Sequence, residues 1–251
     1  MSEHKIRVGI GGWDFEPWRG TFYPERLAKA KQLRFATEQL TAIEINSTYY
    51  SSQKPATFAN WAKTAPDGFQ FAVKASRFAT NRKLLAEAGE SVTRFLSQGI
   101  TELGDRLGPI LWQFMATKKF DPDDFAGFLK LLPEKQDGVQ LRHALEVRHE
   151  SFDNPAFFAL AKKANAAIVF AHSDKFPEID EPTADFTYAR LQRCAEEIPT
   201  GYDGPALDQW AERAKGWQKR ADVFVFFISG AKVRAPAAAQ ALQQRLGIAP
   251  A

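Results

Sequence analysis

The chain has 251 residues, of which 45% are hydrophobic and 25% are charged, a composition typical of a globular protein and not of a disordered one. Its 33 basic and 30 acidic residues leave a net charge of +3, too small to indicate nucleic-acid binding by itself. A single cysteine, Cys194, excludes an internal disulfide, and we interpret it as a buried filler and not as a nucleophile.

Short segments rich in Val, Ile and Phe alternate along the chain with amphipathic segments of helical period. The apolar segments are short and have few polar residues, which is typical of strands covered on both faces. The eight predicted strands are, in chain order, 7–13, 42–49, 69–76, 108–114, 142–149, 166–173, 185–192 and 222–229.

The clearest predicted helix follows Asp121, which can cap it, and has Pro122 at its first position. Apolar stripes predict two more helices, over 92–103 and 205–217. Weaker helical patterns cover 25–39, 55–65, 154–164 and 236–246. Residues 174–184 carry two prolines and no apolar stripe, so a loop is predicted there in place of a helix.

This alternation predicts an α/β fold, a single-domain TIM-like (β/α)₈ barrel over residues 1–251. A doubly wound open sheet stays the alternative, because alternation alone cannot close a barrel. No stretch approaches the ~18 apolar residues of a membrane helix, and the N-terminus has no signal-peptide pattern. With one free cysteine, these features predict a soluble, cytoplasmic protein with no membrane partner.

The barrel hypothesis sorts strand residues into one set that faces the helices and one that faces the lumen. On the second strand, Ile43 and Ile45 would pack against helices. Glu44, Asn46 and Thr48 would then face inward. The same reasoning on five strands gives an inward polar set near their carboxyl ends, where such barrels keep their active sites. The set is Glu44, Asn46, Lys74, Gln113, Glu146, Arg148 and Arg190.

The charges of this set predict the ligand class and the chemistry. Two carboxylates meet three cations, and the small positive excess suits an anionic or phosphorylated small molecule. Glu44, Glu146 and Lys74 are the catalytic candidates for acid/base chemistry. The candidates for ligand binding are Trp13, Asn46, Tyr49, Gln113, Arg148, His172 and Arg190. The alternative is that the charged groups only neutralise one another in a buried network.

Motifs for cofactors and metals are incomplete. "GIGGWD" lacks the third glycine of a dinucleotide-binding loop, so no cofactor is predicted. In "HALEVRH", His143 and His149 project to the face opposite Glu146, so the three cannot hold one ion. No metal ligands are assigned, and a single carboxylate-bound Mg²⁺ or Mn²⁺ stays an open alternative.

Seven motifs, in this order, resemble the domain-of-unknown-function 72 family: "GGW", "WRGTFYPE", "EINSTYY", "FQFAVKAS", "LGPILWQF", "LEVRHESF" and "YARL". The resemblance covers roughly residues 6–246. It implies a TIM-barrel-like fold with a polar site at the carboxyl ends of the strands, but no reaction, because the family is defined without an established activity. The matching positions include Trp13, Glu44, Asn46, Tyr49, Lys74, Gln113, Glu146, Arg148 and Arg190.

The chain departs from this family pattern on its last three strands. His172–Ser173 stands where the family commonly has Asp-Ser, and Gln192–Arg193 stands where it has His-Gly. Ile228–Ser229 replaces an Asn-Asn pair. The resemblance therefore implies a divergent member, with either a changed specificity or a lost activity.

Three functions remain after these arguments. The first is an enzyme of hydrolase, lyase or isomerase type that acts on a small polar or anionic metabolite. The second is nucleic-acid binding or processing, for which the basic loop 76–83 would supply phosphate contacts. The third is a non-catalytic ligand-binding barrel. No pattern in the sequence indicates an oligomeric state.

Overall fold

A computed structural model describes residues 4–249 and contains all eight predicted strands, parallel in one sheet. Strands 1 to 5 are Ile6–Gly11, Ala42–Ile45, Gln70–Lys74, Leu107–Gln113 and His143–Glu146. Strand 6 has two pieces, Ala167–Ile168 and Phe170–His172, and strands 7 and 8 are Phe186–Leu191 and Asp222–Phe227. A short antiparallel hairpin, Lys135–Gln136 with Val139–Gln140, stands apart from this sheet.

Strand 6 closes the sheet into a barrel. Its first piece, Ala167–Ile168, pairs with strand 5, and its second piece, Phe170–His172, pairs with strand 7. Between the pieces, the Val169 amide donates to the Leu145 carbonyl oxygen at 3.0 Å. Strand 1 pairs with strand 2 on one side and with strand 8 on the other. The predicted (β/α)₈ barrel is confirmed, and the open-sheet alternative is wrong.

Helices surround the barrel where the sequence predicts them. The longer ones are Gln32–Gln39, Pro55–Thr64, Gly89–Leu96, Pro122–Leu129, Pro155–Lys163, Gly204–Gln218 and Ala235–Leu246. Asp121 caps its helix as predicted, accepting from the amides of Asp123 and Asp124. The helix predicted over 92–103 ends early, because Gly99 adopts a φ of 103° before the short 3₁₀ segment Ile100–Arg106. No helix lies between strands 6 and 7, so the loop predicted over 174–184 is confirmed.

The remaining helical segments are short. They are the α-helical turns Ser47–Tyr50 and Arg77–Thr80 and the 3₁₀ turns Glu16–Trp18, Lys29–Lys31, Leu85–Glu87, Glu150–Phe152 and Lys232–Arg234. Across residues 4–249, none of the helices combines the length and the apolar character needed to cross a membrane. The cytoplasmic location and the single-domain assignment over residues 1–251 stay predictions.

Two apolar clusters occupy the two faces of the sheet. The cluster between strands and helices includes Ile43 and Ile45, as the alternation predicts. The lumen cluster consists of Ala42, Ala72, Leu111, Ala144, Ala167, Val169, Phe186, Tyr188, Phe224, Phe226 and Ile228. Cys194 is buried as predicted, and its burial raises the pKa of the thiol to about 12.

Two arginines occupy the N-terminal end of the barrel. The guanidinium groups of Arg7 and Arg142 lie 5.4 Å and 4.9 Å from the centre of the Phe224 ring. Arg7 also forms an ion pair with Asp222 at 3.2 Å. Burial, followed by the charge of Arg7, lowers the pKa of Arg142 to about 10. The aromatic rings of the lumen thus separate this charged end from the opposite end of the barrel.

Strands 1 and 2 approach each other closely at Gly9. A Cβ atom at Gly9 would overlap the Ala42 carbonyl oxygen and lie 3.2 Å from the Phe226 ring. We expect Gly9→Ala to lower the free energy of unfolding by about 3 kcal/mol, because the backbone must move to accept the methyl group. Urea unfolding measures this change. Gly216→Ala is the matched control, because nothing lies within 4 Å of its added Cβ, and it should stabilise its helix by up to ~1 kcal/mol. Similar effects of the two substitutions would contradict the argument.

Candidate functional site

A cavity of about 660 Å³ opens at the carboxyl ends of the strands. Strand ends supply its floor, because period-two alternation turns their last polar side chains into the lumen. Of the predicted site residues, six line the cavity: Trp13, Asn46, Lys74, Gln113, Arg148 and Arg190. The structure therefore brings together most of the residues that the sequence assigned to one site.

Glu44 lies beneath this cavity and is fully buried. Arg190 binds it with two nitrogens, Nε to Oε2 and Nη2 to Oε1, each at 3.1 Å. The Tyr188 hydroxyl also donates to Oε2 at 2.8 Å. The two oxygens of Glu44 are thus fully engaged with donors from strand 7.

Glu146 is equally buried and lies on the other side of Arg190. It accepts hydrogen bonds from Gln113 Nε2 at 2.6 Å, from Arg148 Nη2 at 3.1 Å and from Arg190 Nη1. Burial alone would raise the pKa of Glu146, but Arg190 and Arg148 outweigh it and hold the pKa at about 2. Glu146 therefore stays ionised at neutral pH and has no proton to donate.

Glu44 and Glu146 thus belong to a buried network of charges. Such a network was the alternative to an acid/base pair in the sequence analysis. Arg190 joins them, and Arg148 links the network to the cavity. This geometry favours a positioning role for Glu44 and Glu146, since neither lines the cavity. Their predicted catalytic role stays a prediction.

Lys74, the last residue of strand 3, has a different environment. Its Nζ lies 4.4 Å from the centre of the Tyr49 ring, and the side chain is 9% exposed. No residue between positions 4 and 249 forms a hydrogen bond or an ion pair with this nitrogen. Burial, followed by the positive charge of Arg190, lowers the pKa of Lys74 to about 8. The negative charges of Glu44 and Glu146 oppose this shift. About a tenth of the amine is therefore neutral at pH 7, and about half at pH 8.

The segment after strand 2 differs from its prediction. The strand predicted over 42–49 ends at Ile45, and Ser47–Tyr50 forms a single helical turn. Thr48, predicted to face the lumen, does not line the cavity, and its hydroxyl donates to the Lys74 carbonyl oxygen at 2.7 Å. Such side-chain hydrogen bonds to the backbone compete with strand pairing. The turn places Tyr49 against the Lys74 amine and Tyr50 at the exposed rim.

His172 does not join the cavity. Its ring lies 4.7 Å from the Trp210 ring, and its Nδ1 is 3.2 Å from the Tyr202 hydroxyl. Burial, followed by the charge of Arg193, lowers the pKa of His172. The physical reason for this position is alternation: Phe170 faces the helices, and His172, two residues later, faces the same way. A place at the end of a strand was therefore not sufficient to predict a place in the site.

Two site features escaped the sequence analysis. Phe176, in the loop that replaces a helix, lies with its ring 4.4 Å from the Arg148 guanidinium carbon. Lys232 lines the cavity after strand 8, with its Nζ 4.4 Å from the centre of the Phe15 ring. Burial lowers the pKa of Lys232. An aromatic residue within a polar, proline-containing loop was the available signal for Phe176.

Metal ligands are not clustered in the part of the chain that the structure describes. Within residues 4–249, no three His, Cys, Asp or Glu side chains come together as a candidate metal site. The four carboxylate oxygens of Glu44 and Glu146 accept from arginine, tyrosine or glutamine donors.

Comparisons with known proteins identify the family and agree with the barrel fold. A sequence profile of the family described as "Protein of unknown function DUF72" matches residues 7–251, so the chain belongs to this family. A DUF72 family protein from Thermotoga maritima MSB8 is 26% identical, with coverage of 96% of this chain and 97% of that protein and a TM-score of 0.73. A DUF72 family protein from Enterococcus faecalis V583 is 20% identical, with coverage of 98% and 99% and a TM-score of 0.77.

The fold is shared more widely. A xylose isomerase domain containing protein from Salmonella typhimurium LT2 has a TM-score of 0.56 at 10% identity, with coverage of 99% of this chain and 97% of that protein. No functionally curated protein matches the chain in sequence. The similarity thus establishes the family and the barrel, and the chemistry must be argued from the site itself.

Proposed function

We propose that this member of the DUF72 family is an enzyme that binds a small, polar anion in the barrel mouth, with Lys74 as its acid/base group. One observation carries the proposal. Lys74 presents a nearly buried amine to a cavity of about 660 Å³ and has no hydrogen bond or ion pair from the residues described. A largely buried cation that contacts a ring face but no carboxylate is incompletely compensated, and a bound anion would supply the missing ion pair.

The charge of the site favours a ligand that carries negative charge. Glu44 and Glu146 neutralise two of the three inward cations, which leaves one positive charge in excess. Arg148 directs Nε and Nη2 at Glu146, and its side chain remains 24% exposed at the cavity. A carboxylate or phosphate lying between Lys74 and Arg148 would balance this excess.

The chemistry proposed for Lys74 is general acid/base catalysis. A base is most effective when its pKa lies near the working pH, and the pKa of Lys74, about 8, meets that condition. Neutral Lys74 would accept a proton from a carbon or hydroxyl group next to the ligand's carbonyl. Arg148 would stabilise the negative charge that develops there. This chemistry belongs to isomerases and lyases, and Glu44 and Glu146 would serve it by holding the arginines in place.

Binding of small anions tests the proposal. Calorimetry with a panel of short carboxylates and phosphate monoesters should find a ligand whose affinity falls about 10- to 100-fold in Arg148→Met, since a charge-assisted bond contributes roughly 1.5–3 kcal/mol. Arg77→Met is the control, because Arg77 is exposed and does not line the cavity. Equal losses in the two variants, or no anion bound by the wild type, would refute the proposed site.

A second candidate function has one specific observation in its favour. Phe78, in the rim turn Arg77–Thr80, is 62% exposed, and the Arg77 guanidinium lies 5.4 Å from the centre of its ring. An exposed ring beside a cation suits stacking against a nucleobase near a phosphate. Nucleic-acid binding would require an affinity that falls steeply with salt and is lost in Arg77→Met. Anion binding without turnover of any ligand would instead favour the non-catalytic barrel.

A further inference from the structure

The environment of Lys74 carries a second kind of chemistry besides proton transfer. One side of its amine faces the Tyr49 ring, and its other neighbours are the cations Arg148 and Arg190 and the buried carboxylates Glu44 and Glu146. Both carboxylates are engaged by the arginines, and neither forms an ion pair with Lys74. The lone pair of the neutral amine is therefore not occupied by a neighbour from residues 4–249, and the amine opens into the cavity.

We propose that Lys74 is a nucleophile that forms an imine with the carbonyl carbon of a small oxo acid. The proposal rests on the proposed function, because the anion site at Arg148 would hold the carboxylate of that oxo acid. Desolvation and neighbouring cations are the two environments that activate a lysine for such chemistry, and Lys74 has both. Arg148 would place the carboxylate at one end of the ligand and leave its carbonyl within reach of the amine.

The reaction is balanced without a further reactant. The neutral amine of Lys74 adds to the carbonyl carbon, forming a C–N bond and a carbinolamine. The carbinolamine then loses its oxygen as water, which carries away the two hydrogens of the amine. The product is a C=N bond between Lys74 and the ligand. Once protonated on nitrogen, this imine withdraws electrons from the adjacent carbon. Because the nitrogen is then bonded to the ligand, imine formation replaces the proton acceptance proposed above for the free amine.

Lys118 provides an internal comparison. It is also a poorly exposed lysine, but its Nζ donates to Asp124 Oδ2 at 2.5 Å and to the Lys83 carbonyl oxygen at 2.7 Å. An amine held by a carboxylate and a carbonyl oxygen in this way is not free to approach the carbonyl of a ligand. Burial alone would therefore not make a lysine reactive. Lys74 and Lys118 differ in whether the amine has hydrogen bonds, so comparing their labelling rates measures the effect of those bonds.

The test uses glyoxylate, the smallest anionic aldehyde, with the intact protein at pH 8. Sodium borohydride delivers hydride to the imine carbon, and a proton adds to the nitrogen, which leaves a stable carboxymethyl group on the lysine. Peptide mapping by mass spectrometry then locates the adduct. We expect Lys74 to be labelled at least ~10-fold faster than exposed lysines, because their neutral fraction at pH 8 is on the order of 100-fold smaller.

Three variants separate the possible outcomes. Lys74→Arg keeps the charge and should bind glyoxylate without forming an adduct. Lys54→Met, an exposed control, should leave the Lys74 adduct unchanged. Arg148→Met should slow labelling by glyoxylate about tenfold more than labelling by neutral acetaldehyde, since only glyoxylate has a carboxylate to anchor.

Different results would overturn the imine at Lys74 and the anion site at Arg148. If glyoxylate binds in an Arg148-dependent manner but labels Lys74 no faster than exposed lysines, the imine is overturned and the anion site stands. If Lys74 is labelled equally by both aldehydes and Arg148→Met has no effect, the nucleophile stands, and both the oxo-acid specificity and the anion site are overturned. Labelling of Lys118 at the rate of Lys74 would also contradict the argument.

Discussion

Replacement of Arg190 by methionine should lower the free energy of unfolding by about 3–5 kcal/mol, a large share of the roughly 5–15 kcal/mol that stabilises a typical folded protein. Arg190 lies between two fully buried carboxylates and binds Glu44 with two nitrogens and Glu146 with a third. Without the guanidinium, Glu44 keeps Tyr188 as a donor, and Glu146 keeps Gln113 and Arg148. Two negative charges would then remain in the lumen with only part of their compensation.

Urea unfolding at neutral pH measures the effect of Arg190→Met. Arg94→Met is the matched control, because Arg94 pairs with Glu90 at the exposed surface, where the two side chains are 74% and 85% exposed. Exposed pairs of this kind contribute only about 0.3–0.5 kcal/mol. The double variant Glu44→Gln/Arg190→Met should recover part of the loss, because it removes one of the uncompensated charges. A cost for Arg190→Met below ~1 kcal/mol would show that the network is not a structural element.

Lys74→Met should have the opposite effect on stability while it abolishes ligand binding. The ordinary pKa of a lysine is 10.5, and that of Lys74 in the folded protein is about 8. This difference corresponds to a penalty of about 3 kcal/mol for carrying the charged amine in the folded state. Methionine fills a similar volume without the charge, so the variant should be more stable at pH 7 by up to that amount.

The difference in stability between the wild type and Lys74→Met should depend on pH. Below pH 8, Lys74 is protonated in both the folded and the unfolded states, and the whole penalty applies. Between pH 8 and 10.5, the folded state binds fewer protons than the unfolded state, so the stability of the wild type rises relative to the variant. The advantage of Lys74→Met should therefore be largest near pH 7 and disappear by about pH 10.5.

Paired urea titrations of the wild type and Lys74→Met at several pH values measure this difference. Lys54→Met serves as the control, since Lys54 is exposed and does not line the cavity. A variant that is less stable than the wild type at pH 7 would mean that Lys74 has stabilising interactions in the folded state. That result would remove the main support for an unpartnered amine.

The sequence predicted the barrel because its strands alternate so regularly with helices. Each strand of the structure begins within one residue of its predicted start, although strands 2 and 5 end four and three residues before their predicted ends. Strand 6 is interrupted only at Val169. The period-two rule also placed Glu44, Lys74 and Glu146 on the inner face correctly. This rule requires only the positions of the apolar residues along each strand, and these can be read directly from the sequence.

The sequence could not predict how the inward charges pair. The distance from Arg190 to either carboxylate depends on which strands stand opposite one another across the lumen, and that follows from barrel closure. The end of strand 2 was missed because the hydroxyl of Thr48 finds a carbonyl on strand 3, a contact remote in sequence. The position of Phe176 over Arg148 depends in the same way on the path of a loop without regular structure.

The aromatic layer of the lumen determines where a proton can travel. Phe224 and Phe226 lie beside Tyr188, and below them the two arginines cover the opposite end of the barrel. These rings belong to the buried lumen cluster, which lies between the site and the opposite end of the barrel. A proton taken up by Lys74 would then exchange with solvent through the mouth, on the side where the ligand would bind. While the ligand is bound, that proton would return to the ligand more readily than it reaches bulk water.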